Sequence, residues 1–413
     1  MSDTAVEPSR AGGSWLSRLL VAFGFANVAD GVSLVLLPIV TVSLTHSPIA
    51  LGAVALARTL PWSLLATPVG VHADRSPLRV LMISANAVRC AIMVVLAGLL
   101  VLDHLPLALV IVAAGLIGVC EVYYDIAAQT ALPRLVQREA LEKANSRQTL
   151  LAESLHGMAG PALGGLIAGV GPAVALTGAA ACYLVAGLLG LRLPPLRPDT
   201  TSHGRLRAEF LKGVRTVWSE PLLRVFLVMT GFGAVSFAGW QAMLSLFALG
   251  PGPVHLTSFE FGLVYSIGSV GGVLAAACMP ALVSRVSRAA LIVFARVLAS
   301  VSLVLPFFFR TFLGCSVAIT GYSIAVIVWN VVTVSYRQRS LPSSVLGRSN
   351  AAYRTVAWGL LPLGPAVAGL VSQAGGPAIG LLSMGGLSAV ALVLLPAVLA
   401  RRAMLDAQQP EKV

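Results

Sequence analysis

The sequence predicts an all-α integral membrane protein with twelve transmembrane helices in two pseudo-symmetric six-helix bundles. Its composition is the first reason. Of the 413 residues, 57% are hydrophobic and 11% are charged, and the mean hydropathy is +0.89, which lies outside the range of soluble domains. The second reason is that apolar stretches of about 20 residues, the length that crosses a bilayer as a helix, recur along the whole chain. The third is an internal repeat, with its two copies about half a chain apart.

The repeat relates residues 145–172 to residues 350–377. Both copies contain an asparagine and two Gly-Pro pairs at nearly the same spacing, and this predicts that the chain consists of two related halves. The matched residues are Asn145 with Asn350, Gly160-Pro161 with Gly364-Pro365, and Gly171-Pro172 with Gly376-Pro377.

Helices are expected for every apolar stretch, because lipid offers no hydrogen-bonding partner to a backbone amide and each span must satisfy its own backbone. The first six spans belong to a predicted bundle over residues 1–193, and the last six belong to a bundle over residues 222–400. In chain order the predicted spans are 17–44, 50–71, 79–101, 106–127, 148–170, 173–193, 222–249, 259–282, 289–309, 312–335, 351–372 and 376–400.

The two bundles are joined by a polar connection, residues 194–221, which opens with the helix-breaking run Pro-Pro-Leu-Arg-Pro. Its second part repeats apolar residues at helical spacing and places basic residues on the other faces. This pattern predicts an amphipathic helix on the anionic cytoplasmic leaflet. The polar residues 401–413 are predicted to form a cytoplasmic tail.

The net charge of +12 reflects where arginine and lysine lie relative to the spans. One set of alternate loops holds most of these residues, whereas Arg310 is the exception in the opposite set. This alternation follows the positive-inside rule, and it predicts a multi-pass protein of the cell membrane with both termini in the cytoplasm. The basic balance therefore indicates orientation in a lipid bilayer, and nucleic acid is not a predicted partner.

The cysteines and histidines do not form a site. All five cysteines lie inside predicted spans without Cys-x-x-Cys spacing, and the six histidines contain no i, i+4 pair. These patterns predict neither a disulfide framework nor a metal site. The chain also lacks the Gly-x-x-x-x-Gly-Lys-Ser/Thr loop that cradles nucleotide phosphates. We therefore expect no cofactor and no direct use of ATP.

Ionisable residues inside the spans are the first candidates for function, because each costs about 2.5–3.5 kcal/mol at the bilayer centre. Asp30 lies in the middle of the first span and shares a helical face with Asn27. The charges concerned are, in chain order, Asp30, Arg58, Arg89, Glu121, Asp125 and Glu153, with Arg296 as the one deeply placed charge of the second half.

Two interpretations of these charges are open. In the structural one, Asp30 forms a permanent ion pair with Arg58 or Arg89, and Glu121 or Asp125 neutralises loop arginines. In the functional one, Asp30 alternates between its protonated and ionised forms, and this exchange couples proton entry to substrate exit. Arg58 and Arg89 are also candidates for binding an anionic substrate. We adopt the functional interpretation for Asp30, with a candidate proton and substrate pathway of Asp30, Asn27, Arg58, Arg89 and Glu121.

The spans of the second half offer polar and aromatic residues instead. Such side chains line a cavity for a bulky, partly apolar molecule in one interpretation. In the other they are packing residues or belong to the aromatic belts at the membrane interfaces, where Trp and Tyr are enriched. The cavity candidates are Gln241, Tyr265, Tyr322 and Asn330, from a wider set that includes Trp240, Trp329, Tyr353, Arg354 and Trp358.

The loop between the second and third spans reads Gly-Val-His-Ala-Asp-Arg-Ser-Pro-Leu-Arg. This loop resembles the signature loop of the major facilitator superfamily, Gly-x-x-x-Asp-Arg-x-Gly-Arg-Arg/Lys, with Pro and Leu in place of its second glycine and the next arginine. The resemblance implies a latch that joins the two halves on the cytoplasmic side in the outward-open state, with the fourth helix in contact with the loop. The residues assigned to this latch are Gly70, Asp74, Arg75, Arg79 and Asp125.

The fifth span contains Gly160-Pro161 followed by Gly164-Gly165, and it resembles the Gly-Pro-x-x-Gly-Gly core of a motif associated with antiporters of this superfamily. Pro161 removes a backbone donor and bends or softens the helix. The glycines allow another helix to approach closely. We therefore expect a joint at this point of the bundle, and the resemblance implies antiport.

Residues 132–146 read Leu-Pro-Arg-Leu-Val-Gln-Arg-Glu-Ala-Leu-Glu-Lys-Ala-Asn-Ser. With the fifth-span motif, this segment resembles the bacterial efflux branch that includes enterobactin-exporter-like and macrolide-efflux-like proteins. The resemblance implies a transporter and not an enzyme, which exports a small amphiphilic compound such as a drug, siderophore or secondary metabolite by alternating access, in exchange for protons. The alternatives are uptake, flipping of a lipid, and a membrane scaffold or receptor that has the fold without turnover.

Overall fold

The computed structural model describes residues 12–137, 140–195, 214–249, 252–341, 349, 353, 355, 359–401 and 405. These residues are almost entirely helical, and within them the one β-type pairing is an isolated bridge between Leu249 and Leu256. The predicted linker helix falls largely on residues 196–213, and the predicted tail largely on residues 402–413, so both predictions lie mostly outside the described residues.

The first half contains seven α-helices and one π-helical segment among the described residues. The helices are α1 Gly12–Leu44, α2 Pro48–Arg75, α3 Leu78–Val101, α4 Leu107–Leu135, α5 Leu141–Leu151, α6 Gly160–Val170 and α7 Pro172–Gly190, and the π-helical segment Ala152–Ala159 joins α5 to α6.

The second half repeats this order of long apolar helices. Its described helices are α8 Pro221–Ala248, α9 Ser258–Arg285, α10 Arg288–Phe308, α11 Phe312–Ser340, α12 Leu363–Gly375, α13 Pro377–Val390 and α14 Leu395–Leu399, and a 3₁₀ turn, Ala391–Leu394, joins α13 to α14.

Ten helices in the described part of the chain are long and apolar enough to cross a membrane. The fifth predicted span is present as the continuous run from α5 through the π-helical segment to α6, and the eleventh corresponds to α12, before which most residues lie outside the described part. Large apolar side chains such as Leu64, Val101 and Leu313 are more than 60% exposed, as expected for a surface that faces lipid. The prediction of an all-α membrane protein is confirmed.

The chain divides into two compact units. Unit 1 contains Met1–Leu37 and Leu64–His203, and unit 2 contains Pro38–Ser63 and Gly204–Val413. The helices α1 and α2 are therefore shared, because the ends that join them pack with the second half of the chain. Gly52 of α2 makes this close packing possible, since a β-carbon there would lie 2.7 Å from the carbonyl oxygen of Pro365.

Unit 1 is organised around two close contacts. α3 packs along both α4 and α7. α1 approaches the start of α6 so closely that a β-carbon at Gly160 would lie 2.7 Å from the Cα of Gly31. The π-helical segment ends immediately before Gly160 and Pro161. We attribute the wider π-helical turn to Pro161, because its ring clashes with the backbone of the preceding turn and its nitrogen has no hydrogen to donate.

Unit 2 contains the corresponding contacts. α10 packs on α11 and α13, as α3 packs on α4 and α7, and α8 packs on α12. Gly239 of α8 and Gly364 at the start of α12 meet backbone to backbone, as Gly31 and Gly160 do in unit 1. The pairs Gly160-Pro161 and Gly364-Pro365 thus lie at equivalent helix contacts. By this equivalence Asp30, the residue before Gly31, corresponds to Ala238, the residue before Gly239.

We expect Gly160→Ala to destabilise the protein, because the new β-carbon would collide with the backbone of α1 and overpacking costs about 1–3 kcal/mol. Thermal unfolding of the purified protein in detergent would measure this as a lower melting temperature. Gly178→Ala is the control, because no atom lies within 4 Å of a β-carbon placed at Gly178. Equal melting temperatures for the two variants would contradict the close packing of α1 on α6.

Candidate functional site

Asp30 and Arg89 form an ion pair enclosed within unit 1. Asp30 is 3% exposed and Arg89 is fully buried. Nη1 of Arg89 donates to both carboxylate oxygens of Asp30, at 2.8 Å to Oδ1 and 3.0 Å to Oδ2. Arg89, one of the two arginines considered as partners from the sequence, therefore contacts Asp30.

Three further side chains hold this pair in place. The hydroxyl of Tyr183 on α7 donates to Oδ1 of Asp30 at 2.6 Å, and Nη2 of Arg89 donates to Oδ1 of Asn86 at 2.6 Å. The guanidinium lies over two aromatic rings, 4.8 Å from the centroid of Tyr124 and 4.5 Å from that of Tyr183. These contacts draw α1, α3, α4 and α7 together around one charge pair, and they help offset the cost of taking both charges out of water.

The local sequence explains how these groups meet. Asn86 and Arg89 lie three residues apart on α3 and share a face. α7 can approach that face because Gly187 has no side chain, and a β-carbon there would already touch the Cβ of Asn86 at 3.7 Å. Asn27, one turn before Asp30, is buried but donates its amide to the carbonyl of Phe23 in its own helix, at 2.8 Å.

The antiporter-like motif positions Asp30. All four of its residues are buried, and α1 packs directly against them. Gly160 meets Gly31, and a β-carbon at Gly164 would lie 3.0 Å from the Cα of Val32. The glycines therefore hold the stretch of α1 that immediately follows Asp30. The motif residues that the sequence singled out are Gly160, Pro161, Gly164 and Gly165.

Glu121 and Asp125 on α4 join the same electrostatic group. Asp125 interacts with Glu121, Asp30 and Arg89 through space, and both α4 carboxylates are half-buried. Among the described residues no hydrogen bond or ion pair links Asp125 to the signature loop. The latch role of Asp125 stays a prediction, while its charge lies with the Asp30 and Arg89 pair.

The signature loop lies at the adjoining ends of α2 and α3. Gly70, Asp74 and Arg75 belong to the last turns of α2, and no atom lies within 4 Å of a β-carbon placed at Gly70. Arg79 in the first turn of α3 donates from Nη1 to the carbonyl oxygen of Leu193 at 3.0 Å, which ties the loop to the segment after α7.

Arg58 belongs to a different part of the fold from Arg89. It is half-buried on α2, inside the segment Pro38–Ser63 that belongs to unit 2. Of the pathway suggested by the sequence, Asp30, Arg89 and Glu121 belong to unit 1 and Arg58 belongs to unit 2.

The cavity candidates of unit 2 differ in their exposure and in their contacts. Gln241 interacts with the buried hydroxyl of Tyr265. Tyr322 stacks on Phe237, with ring centroids 4.1 Å apart, and donates to the carbonyl oxygen of Gly233 at 3.3 Å. Asn330 on α11 is exposed, next to a buried tryptophan. Tyr265 and Tyr322 are thus packed side chains, while Asn330 is open to its surroundings.

Sequence reasoning missed three residues of the charge cluster. Asn86 could have been found from its spacing to Arg89, because polar residues three apart share a helical face. Tyr124 and Tyr183 gave no such signal, since aromatic residues in apolar spans are common. Their role depends on which helices pack together, and that information is tertiary.

A family model described as transmembrane secretion effector, within the major facilitator superfamily, matches residues 15–412. The chain belongs to this secretion effector family. The predicted membership of the major facilitator superfamily is therefore confirmed, and the protein is a multi-pass membrane protein of a transporter family.

Two relatives of the secretion effector chain are similar over most of its length. The uncharacterized MFS-type transporter y4rN of Sinorhizobium fredii is 29% identical over 373 residues, which cover 86% of this chain and 88% of the relative. The multidrug efflux pump Tap of Mycolicibacterium fortuitum is 26% identical over 380 residues, which cover 87% of this chain and 90% of the pump.

Solved structures show the same fold. A point variant of the nucleoside transporter NupG superimposes with a TM-score of 0.77 at 12% identity, covering 93% of this chain and 99% of NupG. A bacterial homologue of the human lysosomal transporter Spinster gives a TM-score of 0.73 at 13% identity, and the match covers 98% of this chain and 100% of the homologue. The predicted major facilitator fold is confirmed for this family member.

We expect Asp30→Asn to destabilise the protein by about 3–5 kcal/mol, because it leaves the charge of Arg89 buried without a carboxylate and arginine stays protonated. The double variant Asp30→Asn with Arg89→Gln removes both charges and should recover most of that loss. Melting temperatures of the purified proteins in one detergent would test this. A double variant that is no more stable than Asp30→Asn alone would show that the pair does not contribute in this way.

Proposed function

We propose that this protein is a secondary active transporter that exports a small amphiphilic compound by alternating access, in exchange for protons. The observation that carries the proposal is the enclosed Asp30 carboxylate, held by Arg89 and Tyr183 beside the helix joint at Gly160. A charged group at this depth is costly, and such residues in membrane proteins characteristically belong to ion or substrate pathways.

The charge balance around Asp30 supports proton exchange. Asp30, Glu121 and Asp125 interact around the guanidinium of Arg89, which can neutralise one carboxylate. Carboxylates in one poorly solvated group repel one another when all are ionised, and uptake of a proton relieves this repulsion. Protonation of Asp30 would also release Arg89, so the proton load of the cluster would change the contacts among four helices.

The shared helices supply a route from this cluster to the rest of the protein. Asp30 lies on α1, and α1 continues beyond Leu37 into unit 2. The π-helical segment and Pro161 weaken the backbone hydrogen bonding of the helix against which α1 packs. Alternating access requires helices to change partners, and the packing of Gly52 against Pro365 is a contact that such a change would open and close.

Export, rather than uptake, is supported by the relatives. The family is described as transmembrane secretion effector, and Tap is named as a multidrug efflux pump. The fifth-span motif, which resembles that of antiporters, has the same implication.

Transport in proteoliposomes with an imposed proton gradient tests this proposal. The compounds are fluorescent amphiphiles of three charge types: ethidium, a neutral coumarin and fluorescein. We expect wild type to accumulate at least one of them against its gradient. Asp30→Asn should abolish this accumulation, because Asn cannot carry the proton, while exchange at equal concentrations on both sides continues.

Asp103→Asn is the matched control, because Asp103 is exposed in a turn at a positive φ of 52°, a conformation that asparagine accepts readily. It should transport like wild type. The exchange measurement separates lost coupling from a misfolded protein. Undiminished uphill transport by Asp30→Asn would eliminate Asp30 as the proton carrier, and absence of transport of every compound by wild type would favour a scaffold or receptor.

A further inference from the structure

Unit 2 contains a buried arginine with two nitrogens that find no hydrogen-bonding partner in the described part of the chain. Arg296 on α10 is 5% exposed, and its guanidinium lies over the ring of Trp329, 5.3 Å from the centroid. Its Nε and Nη2 atoms are enclosed and have no hydrogen-bonding partner among the described residues. These two nitrogens form one edge of the guanidinium, the edge that binds a carboxylate or phosphate with two parallel hydrogen bonds.

The sequence offers this arginine no counter-ion within its own bundle. Between residues 221 and 405, Glu260 is the only acidic residue. Glu260 accepts hydrogen bonds from the backbone amide and hydroxyl of Thr257, where it completes the capping box at the start of α9. It is therefore engaged at the first turn of another helix.

The groups that the structure describes around Arg296 are neutral. Tyr322 donates its hydroxyl to the carbonyl of Gly233. Thr230 donates to the carbonyl of Phe226 and accepts from Nε1 of Trp329 at 3.2 Å, so the hydroxyl of Tyr353, 2.6 Å away, is left as a donor to Thr230. Arg296 thus lies among aromatic rings and engaged hydroxyls, and none of these groups balances its charge.

Unit 1 shows what the missing partner would be. Tyr124 and Trp329, the rings beside Arg89 and Arg296, lie at the same distance from the start of their helices. The position of Asp30 is occupied by Ala238 in unit 2. Tyr183, which binds Asp30, corresponds to Ser388 by its distance from the Pro of the preceding Gly-Pro pair, and Ser388 bonds Ser300 instead. The carboxylate and its tyrosine donor are both absent at these positions. Each unit nevertheless has a buried arginine beside an aromatic ring, with Arg89 11 residues after the start of α3 and Arg296 8 residues after the start of α10.

We propose that Arg296 binds the oxyanion group of an amphiphilic ligand, a carboxylate, phosphate or sulfonate, through Nε and Nη2, with the aromatic rings of Trp329 and Tyr322 beside it. A buried charge without a partner is destabilising, and an anion from outside the bundle supplies the missing half of the pair. The inference deepens the proposed export function, because it assigns the exported compound an acidic group. An anionic lipid headgroup has the same chemistry and is the other source to distinguish.

The test measures the melting temperature of the purified full chain in detergent, with titration of phenylbutyrate or its neutral analogue phenylbutanol. We expect phenylbutyrate to raise the melting temperature of wild type and to bind about tenfold or more tightly than phenylbutanol, as a charge-assisted hydrogen-bonded pair should. Arg296→Gln should abolish this preference and, without ligand, melt at a higher temperature than wild type, because an unbalanced charge has been removed.

Arg310→Gln is the matched control. Arg310 also lies over an aromatic ring, that of Phe307 at 5.6 Å, but it is exposed. It should retain the response to phenylbutyrate. A lower melting temperature for unliganded Arg296→Gln would reveal an internal partner for Arg296 and overturn the proposal. Equal binding of phenylbutyrate and phenylbutanol to wild type would overturn it as well, unless the lipid test described next shows an effect that depends on Arg296.

The lipid source is tested in nanodiscs of phosphatidylglycerol and of phosphatidylcholine. Stabilisation by phosphatidylglycerol that depends on Arg296, without a response to phenylbutyrate, identifies the oxyanion as a lipid headgroup. No response to either anion overturns the proposal. Neither measurement needs a proton gradient. Anion binding that persists while transport fails would therefore contradict the proposed export function and still support the anion site at Arg296.

A second pair of variants tests the charge itself. A β-carbon at Gly233 would lie 2.9 Å from Nη1 of Arg296, at the flexible end of that side chain. Gly233→Asp should provide an internal counter-ion and abolish the response to phenylbutyrate, with a higher melting temperature than Gly233→Asn, which has the same size and no charge. Equal melting temperatures and equal responses would contradict the assignment.

Discussion

The ion pair between Asp30 and Arg89 is the interaction on which the first half of the protein depends. It is enclosed, it is held by Tyr183 and Asn86, and it draws four helices to one point. Burial makes the charges expensive to separate, so the packing of α1 on α6 and the charge pair reinforce each other. The glycines of the fifth-span motif matter for this reason: they let α6 lie against the stretch of α1 that immediately follows Asp30.

The two halves share a scaffold and differ in chemistry. The Gly-Pro pairs make the same helix contact in each unit, through Gly31 and Gly160 in one and Gly239 and Gly364 in the other. The first half has a buried arginine with its carboxylate. The second half also has a buried arginine, but Ala238 stands at the position that matches Asp30. A proton-carrying half and an anion-binding half would suit a transporter that exchanges protons for an acidic compound.

Much of the fold could be predicted because each span is a local property of the chain. Hydropathy and length locate the helices, since in lipid the backbone must form its hydrogen bonds within each span. The repeat could indicate two related halves for a similar reason. The effect of a Gly-Pro pair on the backbone is also local, so the pairs can be compared directly in the sequence. The candidate charges could also be listed from the sequence, since a charge inside an apolar span is conspicuous. The π-helical segment could not, because it depends on how the backbone around Pro161 relaxes.

The sequence by itself determined that this is a membrane protein of related helical halves, and which charges lie within the apolar spans. It left two arginines as possible ion-pair partners of Asp30, because the sequence does not give the distance between spans that are far apart in the chain. Only the tertiary structure decided that Arg89 pairs with Asp30, that Tyr183 completes the site and that Arg58 belongs to unit 2. Pairing depends on which helix faces meet, and those contacts arise from packing between helices rather than from any one helix.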